Sequence, residues 1–247
     1  MKFRQFYNYG LGNTIMSTPA MQYYYQMTGV KVKVYFENDD VRLLLDKAPF
    51  IEVVDSMTSH DFHSGMTNQS IPDSEYLMEL VRKKYGFPNI ETPHTWVNNP
   101  NLPEKKYVLF ARGCANPNKR GTKDPGEKIY IDLIDFLHEQ DIEVKMVGSV
   151  EDMDWNMGIL RRTGIEFTTG ISNALNMISE CMMWVSNDTG LYHVAGAMKK
   201  RGFIMWCDTN FVKNQSPNKN FVYSFEDYMN DFMSNFFGEL ILSKYKP

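Results

Sequence analysis

Ser186, Asn187, Asp188, Thr189, Gly190, Leu191, Tyr192 and His193 gather an acid, small polar residues, a glycine and a histidine into one short stretch. Residues 182–185 before it read as a buried strand. After it, Leu191, Val194, Ala195 and Met198 recur at i, i+3, i+4 and i+7, the period of a helix. A strand turning tightly into a helix aims free backbone N–H groups and the positive end of the helix dipole at one spot, which suits a phosphate. Asp188 or Thr189 can cap that helix, and Gly190 lets a ligand approach the backbone. The plainer reading of the same residues is an ordinary crossover helix capped by Asp188. His193, one turn in, could donate to a phosphate or move a proton, since an unperturbed imidazole titrates near pH 6.5.

Lys119, Arg120 and Lys123 follow an apolar run at 107–111. Cations at a strand end can clamp phosphoryl oxygens and stabilise a departing diphosphate; a merely solvated basic loop is the alternative. Gly10 and Gly12 make a second strand-to-helix turn, with Asn13, Thr14 and Ser17 as polar groups for an acceptor or a diphosphate. The third glycine of a dinucleotide fingerprint is missing, which argues against a nicotinamide-dependent enzyme such as a sugar-nucleotide epimerase. His60, Asp61 and His63 do not match a closed metal-ligand spacing, so a polar loop is expected there and no metal.

The elements that must carry these residues alternate. Strands are predicted at 3–7, 30–36 and 51–54, with helices at 15–27, bent slightly at Pro19, and at 39–47. Residues 55–73 are polar and read as a long loop, which at that length implies a site or disorder. A helix at 74–85 precedes a stretch rich in proline and asparagine, 86–103, the best domain boundary. The second half restarts with strands at 107–111, 142–147, 166–168, 182–185 and 203–207. Helices are expected at 129–140, from Glu151 to Thr163, at 172–180 and over 225–245. The expected fold is α/β, with two Rossmann-like domains, 1–100 and 101–247, facing across a cleft, and the terminal helix packing back on the first domain. Ligands in such folds gather at the carboxyl ends of the strands.

Composition bounds the rest. A chain of 247 residues, 43% hydrophobic and 14% aromatic, can bury substantial cores. A formal charge of -4 supplies no global attraction for nucleic acid. Three scattered cysteines form no metal or redox pair, so reduced thiols and a cytoplasmic location are expected. No run approaches a membrane span, and the seventeen methionines read as core filler.

Two segments together resemble a known family. Gly10-Leu11-Gly12-Asn13-Thr14-Ile15-Met16-Ser17-Thr18-Pro19-Ala20 is similar to the glycine-rich opening of family 9 glycosyltransferases, the heptosyltransferase-like enzymes, and 186–197 is similar to their nucleotide-sugar motif. The resemblance implies a GT-B fold, with an acceptor side in the first domain and a nucleoside-diphosphate sugar on the second. It implies that Gly12, Asp188, Thr189, Gly190 and His193 surround the donor and that Lys119 or Arg120 contacts its phosphates, with Lys123 beside them. The chain is short for the family, so its first domain is expected to be trimmed.

One departure concerns chemistry. The family often carries an acid after the second opening glycine, where it resembles a general base, and here the residue is Asn13. An asparagine cannot take that proton. Asn13, His193 and Asp188 are nonetheless the residues placed nearest the reaction, with Asp55, His60 and Asp61 as further candidate bases. The implied function is transfer of a sugar from a nucleoside diphosphate to a glycan or other hydroxyl. No cofactor is required, and magnesium is neither implied nor excluded. Two alternatives remain: a hydroxymethylated viral DNA base as acceptor, which would need a basic stripe such as Arg42, Lys47, Lys83 and Lys84, or a catalytically silent nucleotide-sugar-binding protein.

Overall fold

The computed structural model describes residues 1–7, 10–68, 70–114, 118, 120–205, 207 and 222–224. The first sheet is built from β1 (Lys2–Gln5), β2 (Val32–Phe36), β3 (Ile51–Val53) and β4 (Phe62–His63) in the order β3-β2-β1-β4. All its pairings are parallel, with Phe3 opposite both Val34 and Phe62. Alternation is visible in β2, where Val32 and Val34 are buried and Lys33 between them is exposed. The loop expected over 55–73 therefore contains a strand. Two residues show no periodicity, and β4 exists because β1 offers it an edge.

Helices α1 (Leu11–Met16) and α2 (Thr18–Thr28) replace the single helix expected over 15–27. At the break, Ser17 Oγ donates to the Asn13 carbonyl at 2.8 Å and Thr18 Oγ1 to that of Ile15 at 2.8 Å. Pro19 lies in the first turn of α2, where its missing N–H costs no helical bond. Thr14 and Ser17, expected to face a cleft, are fully buried instead. Helix α3 (Asp39–Leu45) buries Val41, Leu44 and Leu45, and α4 (Asp73–Tyr85) buries Leu77 and Val81.

Residues 86–106 carry no helix or strand but are tied down at both ends. Trp96 N–H donates to Thr18 Oγ1 at 2.8 Å and Asn98 N–H to the Leu44 carbonyl at 2.7 Å. Further along, Leu102 N–H donates to Ser179 Oγ at 2.9 Å and Lys105 pairs with Glu180 at 2.7 Å.

The second sheet comprises β5 (Tyr107–Ala111), β6 (Glu143–Gly148), β7 (Glu166–Thr169), β8 (Met183–Asn187), β9 (Gly202–Met205) and β10 (Val222–Ser224). It runs β10-β9-β8-β5-β6-β7, again all parallel. Its helices are α5 (Arg120–Lys123), α6 (Glu127–Glu139), α7 (Val150–Trp155), α8 (Met157–Thr163), α9 (Ile171–Glu180) and α10 (Gly190–Ala197). The helix expected from Glu151 to Thr163 is thus two, divided at Asn156, whose side chain donates to the carbonyls of Arg112 and Asp152. The helical region expected over 225–245 lies outside the described residues.

Strand β5 is buried along its whole length and feeds two apolar clusters. Val108 and Phe110 join Tyr130, Ile134, Leu137, Val144 and Val185 on one face. Tyr107 and Leu109 join Trp184 and Tyr192 in a cluster that continues to Phe3, Ile15, Met21, Val34 and Leu44. One apolar cluster therefore runs from the first sheet to the second.

Candidate active site

In each sheet the chain winds to one side and then crosses to the other, which leaves a crevice between the two strands where the direction reverses. Those strands are β1 and β4 in the first sheet, β5 and β8 in the second. Helix α1 follows β1 and α10 follows β8, and the two helices pack on each other. A methyl at Gly12 would lie 2.5 Å from His193 Cδ2, and one at Gly190 would lie 2.8 Å from Leu11 Cβ. The two glycine-bearing motifs, almost 180 residues apart, are in direct contact.

A cavity of about 230 Å³ opens at the carboxyl ends of the second sheet. Gly113 and Cys114 after β5, Gly148 and Ser149 at β6, Gly170 and Ile171 at α9, and Thr189 to Leu191 at α10 form its walls, and Leu11 and Asp40 close it from the first half. Thr189, not Asp188, caps α10: its Oγ1 accepts the Leu191 N–H at 3.1 Å. The first turn of α10 thus faces the cavity with a helix dipole behind it.

Asp188, Lys123, Arg120 and His193 are not themselves in the cavity wall. Asp188, 4% exposed, holds Lys123 Nζ on its carboxylate at 2.7 Å and on its carbonyl at 3.2 Å. Lys123 is therefore not a loose cation but one stored on the turn. Arg120 turns aside, its guanidinium 5.1 Å from the Trp155 ring and donating to the Glu151 carbonyl at 3.3 Å. Lys119 lies outside the described residues. His193 is 6% exposed, its ring 4.3 Å from that of Tyr192, and its Nδ1 has no hydrogen-bond partner among the described protein atoms. Burial pushes its pKa down from 6.5 to about 4, with Lys123 adding to the fall and Asp188 opposing it. At neutral pH it is an uncharged imidazole. Of the opening segment only Leu11 lines the cavity; Asn13 is half-buried on α1 and Gly12 sits under His193.

Asp152 is a residue that sequence reasoning placed on a helix without a role in the site. Its Oδ1 accepts the Cys114 N–H at 3.1 Å, and its Oδ2 accepts the N–H and hydroxyl of Ser149 at 3.1 and 3.0 Å. The capping pattern Ser149-x-x-Asp152 directly after strand-end Gly148 was the available signal.

On the first sheet's crevice, Phe6 N–H donates to Ser64 Oγ at 3.1 Å, tying β1 to the end of β4. The Phe6 ring meets His63 at 5.1 Å and His60 at 5.5 Å, and the Arg4 guanidinium lies 5.0 Å from it. Glu37 pairs with Arg4 at 2.6 Å and accepts the Tyr7 N–H at 2.9 Å, a bond that with Arg4 holds its carboxyl below the ordinary range. Tyr7 is 68% exposed. It stands four residues before Leu11, and Glu37 three before Asp40, so the Tyr7 backbone lies within about 14 Å of Leu11 in the cavity wall. Among the candidate bases, Asp61 pairs with Lys84 and accepts the Lys2 N–H, while Asp55 and His60 are exposed; the neighbouring His63 accepts the Gly65 N–H on Nδ1 at 3.0 Å. With Lys83 on Glu79 and Lys84 on Asp61, two members of the basic stripe carry acidic partners. Among the described residues no group of three or more His, Cys, Asp or Glu could hold a metal ion, and no helix is long and apolar enough to cross a membrane.

The family model for glycosyltransferase family 9 (heptosyltransferase) matches residues 61–231, more than half of the sequence. The chain belongs to glycosyltransferase family 9. The matched region includes the Asp188-Thr189-Gly190 turn and begins after the Gly10 segment. Solved structures carry the likeness of fold over more than nine tenths of this chain. E. coli ADP-heptose lps heptosyltransferase II aligns with a TM-score of 0.73 at 14% identity, covering 99% of this chain and 100% of that one. A family 9 glycosyl transferase from Veillonella parvula aligns at 0.72 and 11% identity over 91% and 85% of the two chains. E. coli heptosyltransferase WaaC with ADP-2-deoxy-2-fluoro heptose aligns at 0.65 and 14% identity, over 99% and 100%. No curated protein matches in sequence. The α/β fold of parallel sheets is thus that of the GT-B heptosyltransferases, and the chain is a glycosyltransferase enzyme.

Proposed function

We propose that this glycosyltransferase moves a sugar from a nucleoside diphosphate, held in the cavity between β5 and β8, to a hydroxyl of a saccharide presented at the β1/β4 crevice. The observation that carries the reading is the cavity itself, at a switch point, with the capped N-terminus of α10 opening into it. The apolar walls Leu11, Val147, Ile171 and Ala174 suit a base or sugar face, and the Gly190 N–H at the start of α10 suits the diphosphate, the Leu191 N–H being held by the Thr189 cap. As the glycosidic bond to phosphate breaks, negative charge grows on the leaving diphosphate. The α10 dipole and Lys123, shared with Asp188, would stabilise that charge without a metal.

The acceptor reading rests on the Phe6, His60 and His63 rings with Arg4, Glu37 and exposed Tyr7. Rings present apolar faces to a pyranose, while the charged planar groups hydrogen-bond its hydroxyls. On this reading residues 1–100 form the acceptor domain and 101–247 the donor domain, acting together in the cytoplasm. Asn13 leaves the acceptor without a carboxylate base at that position.

Isothermal titration with ADP, UDP, GDP and CDP tests the donor half. Binding of one of them, with ADP tried first because a WaaC structure carries an ADP sugar analogue, is the expected result. A folded protein that binds none of the four would overturn it. Mass spectrometry of donor and acceptor mixtures then separates a transferase from a silent binding protein.

A further inference from the structure

Arg112 is a cation at 2% exposure that does not itself line the cavity, although Ala111 and Gly113 on either side of it do. Its Nε donates to Asp124 Oδ1 at 2.9 Å, and its Nη2 pairs with the other carboxylate oxygen. Nη1 donates to Asn156 Oδ1 at 3.2 Å, and the Asn156 side chain returns a bond to the Arg112 carbonyl at 2.9 Å. The guanidinium lies 4.2 Å from the Trp155 ring. A second carboxylate, Glu127, lies 3.6 Å from Nη1, but the bidentate pair is the one with Asp124.

Asp124 is the neighbour of Lys123. From the other side, Asn187 Nδ2 donates to the Lys123 carbonyl at 2.9 Å and to that of Gly113 at 3.0 Å, while its Oδ1 accepts the Gly113 N–H at 3.1 Å. Lys123 is thus gripped through its own carbonyl and through the next side chain, and its Nζ ends on Asp188 beside Thr189. A buried ion pair is an inefficient source of stability, since apolar residues of the same volume do as well. What a fork-shaped pair supplies is a fixed orientation, and a flexible lysine stem profits from one.

We propose that Arg112, acting through Asp124, is a positioning residue that keeps the Lys123 ammonium at the rim of the donor cavity. The catalytic consequence rests on the donor reading above; the positioning itself does not. The test combines Arg112→Met/Asp124→Leu, which keeps the volume apolar, with Lys123→Ala. Two readouts are taken: ADP affinity by titration, and the reactivity of the Lys123 amine toward an acetylating reagent, quantified by mass spectrometry. The double variant is expected to weaken ADP binding 5- to 10-fold and to make Lys123 severalfold more reactive. Adding Lys123→Ala to it should cost no further affinity, because both changes remove the same contact. Unchanged Lys123 reactivity, or losses of affinity that simply multiply, would overturn the proposal. If the parent protein binds no nucleotide while reactivity still rises, the donor reading fails and the positioning role stands. Should the double variant not fold, Arg112→Lys, which keeps the charge but loses the fork, is put through the same two readouts with an intermediate rise expected.

Discussion

Gly12 of α1 and His193 of α10 meet so closely that the space of a single methyl separates a permitted contact from a collision, the Cβ of any other residue at position 12 falling 2.5 Å from the imidazole Cδ2. The imidazole is buried against the Tyr192 ring and cannot swing away cheaply. Gly12→Ala should therefore destabilise the protein by about 1–3 kcal/mol, the range for an overpacked core. Denaturant melts check this. Because the same contact sets Leu11 against Gly190 at the cavity wall, donor affinity should fall in parallel.

Lys123→Ala strips the cation from a carboxylate that is 4% exposed. Removing one partner of such a pair costs more than the pair contributes, and with Lys123 21% exposed a loss of about 3 kcal/mol, the low end for such a break, is expected in thermal or urea unfolding. Combining it with Asp188→Asn, which removes the orphaned charge, should restore most of that stability without restoring nucleotide affinity.

The buried imidazole predicts a pH dependence. In the unfolded chain His193 takes up a proton near pH 6.5, whereas in the folded protein it resists until about pH 4. Protons therefore favour the unfolded state in that window. The stability from a neutral His193 is fully present above about pH 6.5 and is lost progressively as the pH falls to about 4, to a total of roughly 3 kcal/mol. The difference in unfolding free energy between the parent protein and His193→Gln, followed from pH 7 to 4, should shrink accordingly; a constant difference would contradict the buried, neutral ring.

Asn13→Asp places a carboxylate where the family resemblance implies a base. If acceptor attack is limited by loss of the hydroxyl proton, turnover should rise, on the order of 10²-fold, with ADP affinity unchanged. Steady-state kinetics on the pair of proteins reads both quantities. A variant with unaltered turnover would mean that the acceptor is activated elsewhere.

How much of this was legible in the sequence depended on whether a segment's structure is local. Residues 107–111 were read correctly because five consecutive apolar side chains, all buried, admit little else. The helix at 190–197 was read from its period, whereas the sequence leaves its cap open between Asp188 and Thr189 and the structure shows Thr189. By contrast, Leu11-Gly12-Asn13 looks like a turn, since glycine disfavours helix, yet it is helical because α10 packs against it. Phe62–His63 is a strand only through its pairing with β1. The storage of Lys123 on Asp188 and the turning aside of Arg120 link residues 31 to 65 positions apart, and no spacing rule reaches that far. Asp152 shows the intermediate case: its capping role is local and readable, while its bond to Cys114 N–H, which brings it to the cavity, is not.

The apolar cluster shared by the two sheets has a bearing on how the chain is made. The first sheet and its helices are complete in sequence by residue 85, but the cluster that holds Phe3 and Ile15 also holds Tyr107, Trp184 and Tyr192. At a synthesis rate of about 10 residues per second, roughly ten seconds pass before α10 leaves the ribosome. During that interval the first half waits with part of its core facing water, a natural client for a chaperone, and α10, which later lines the donor cavity, is also the element that ends the wait.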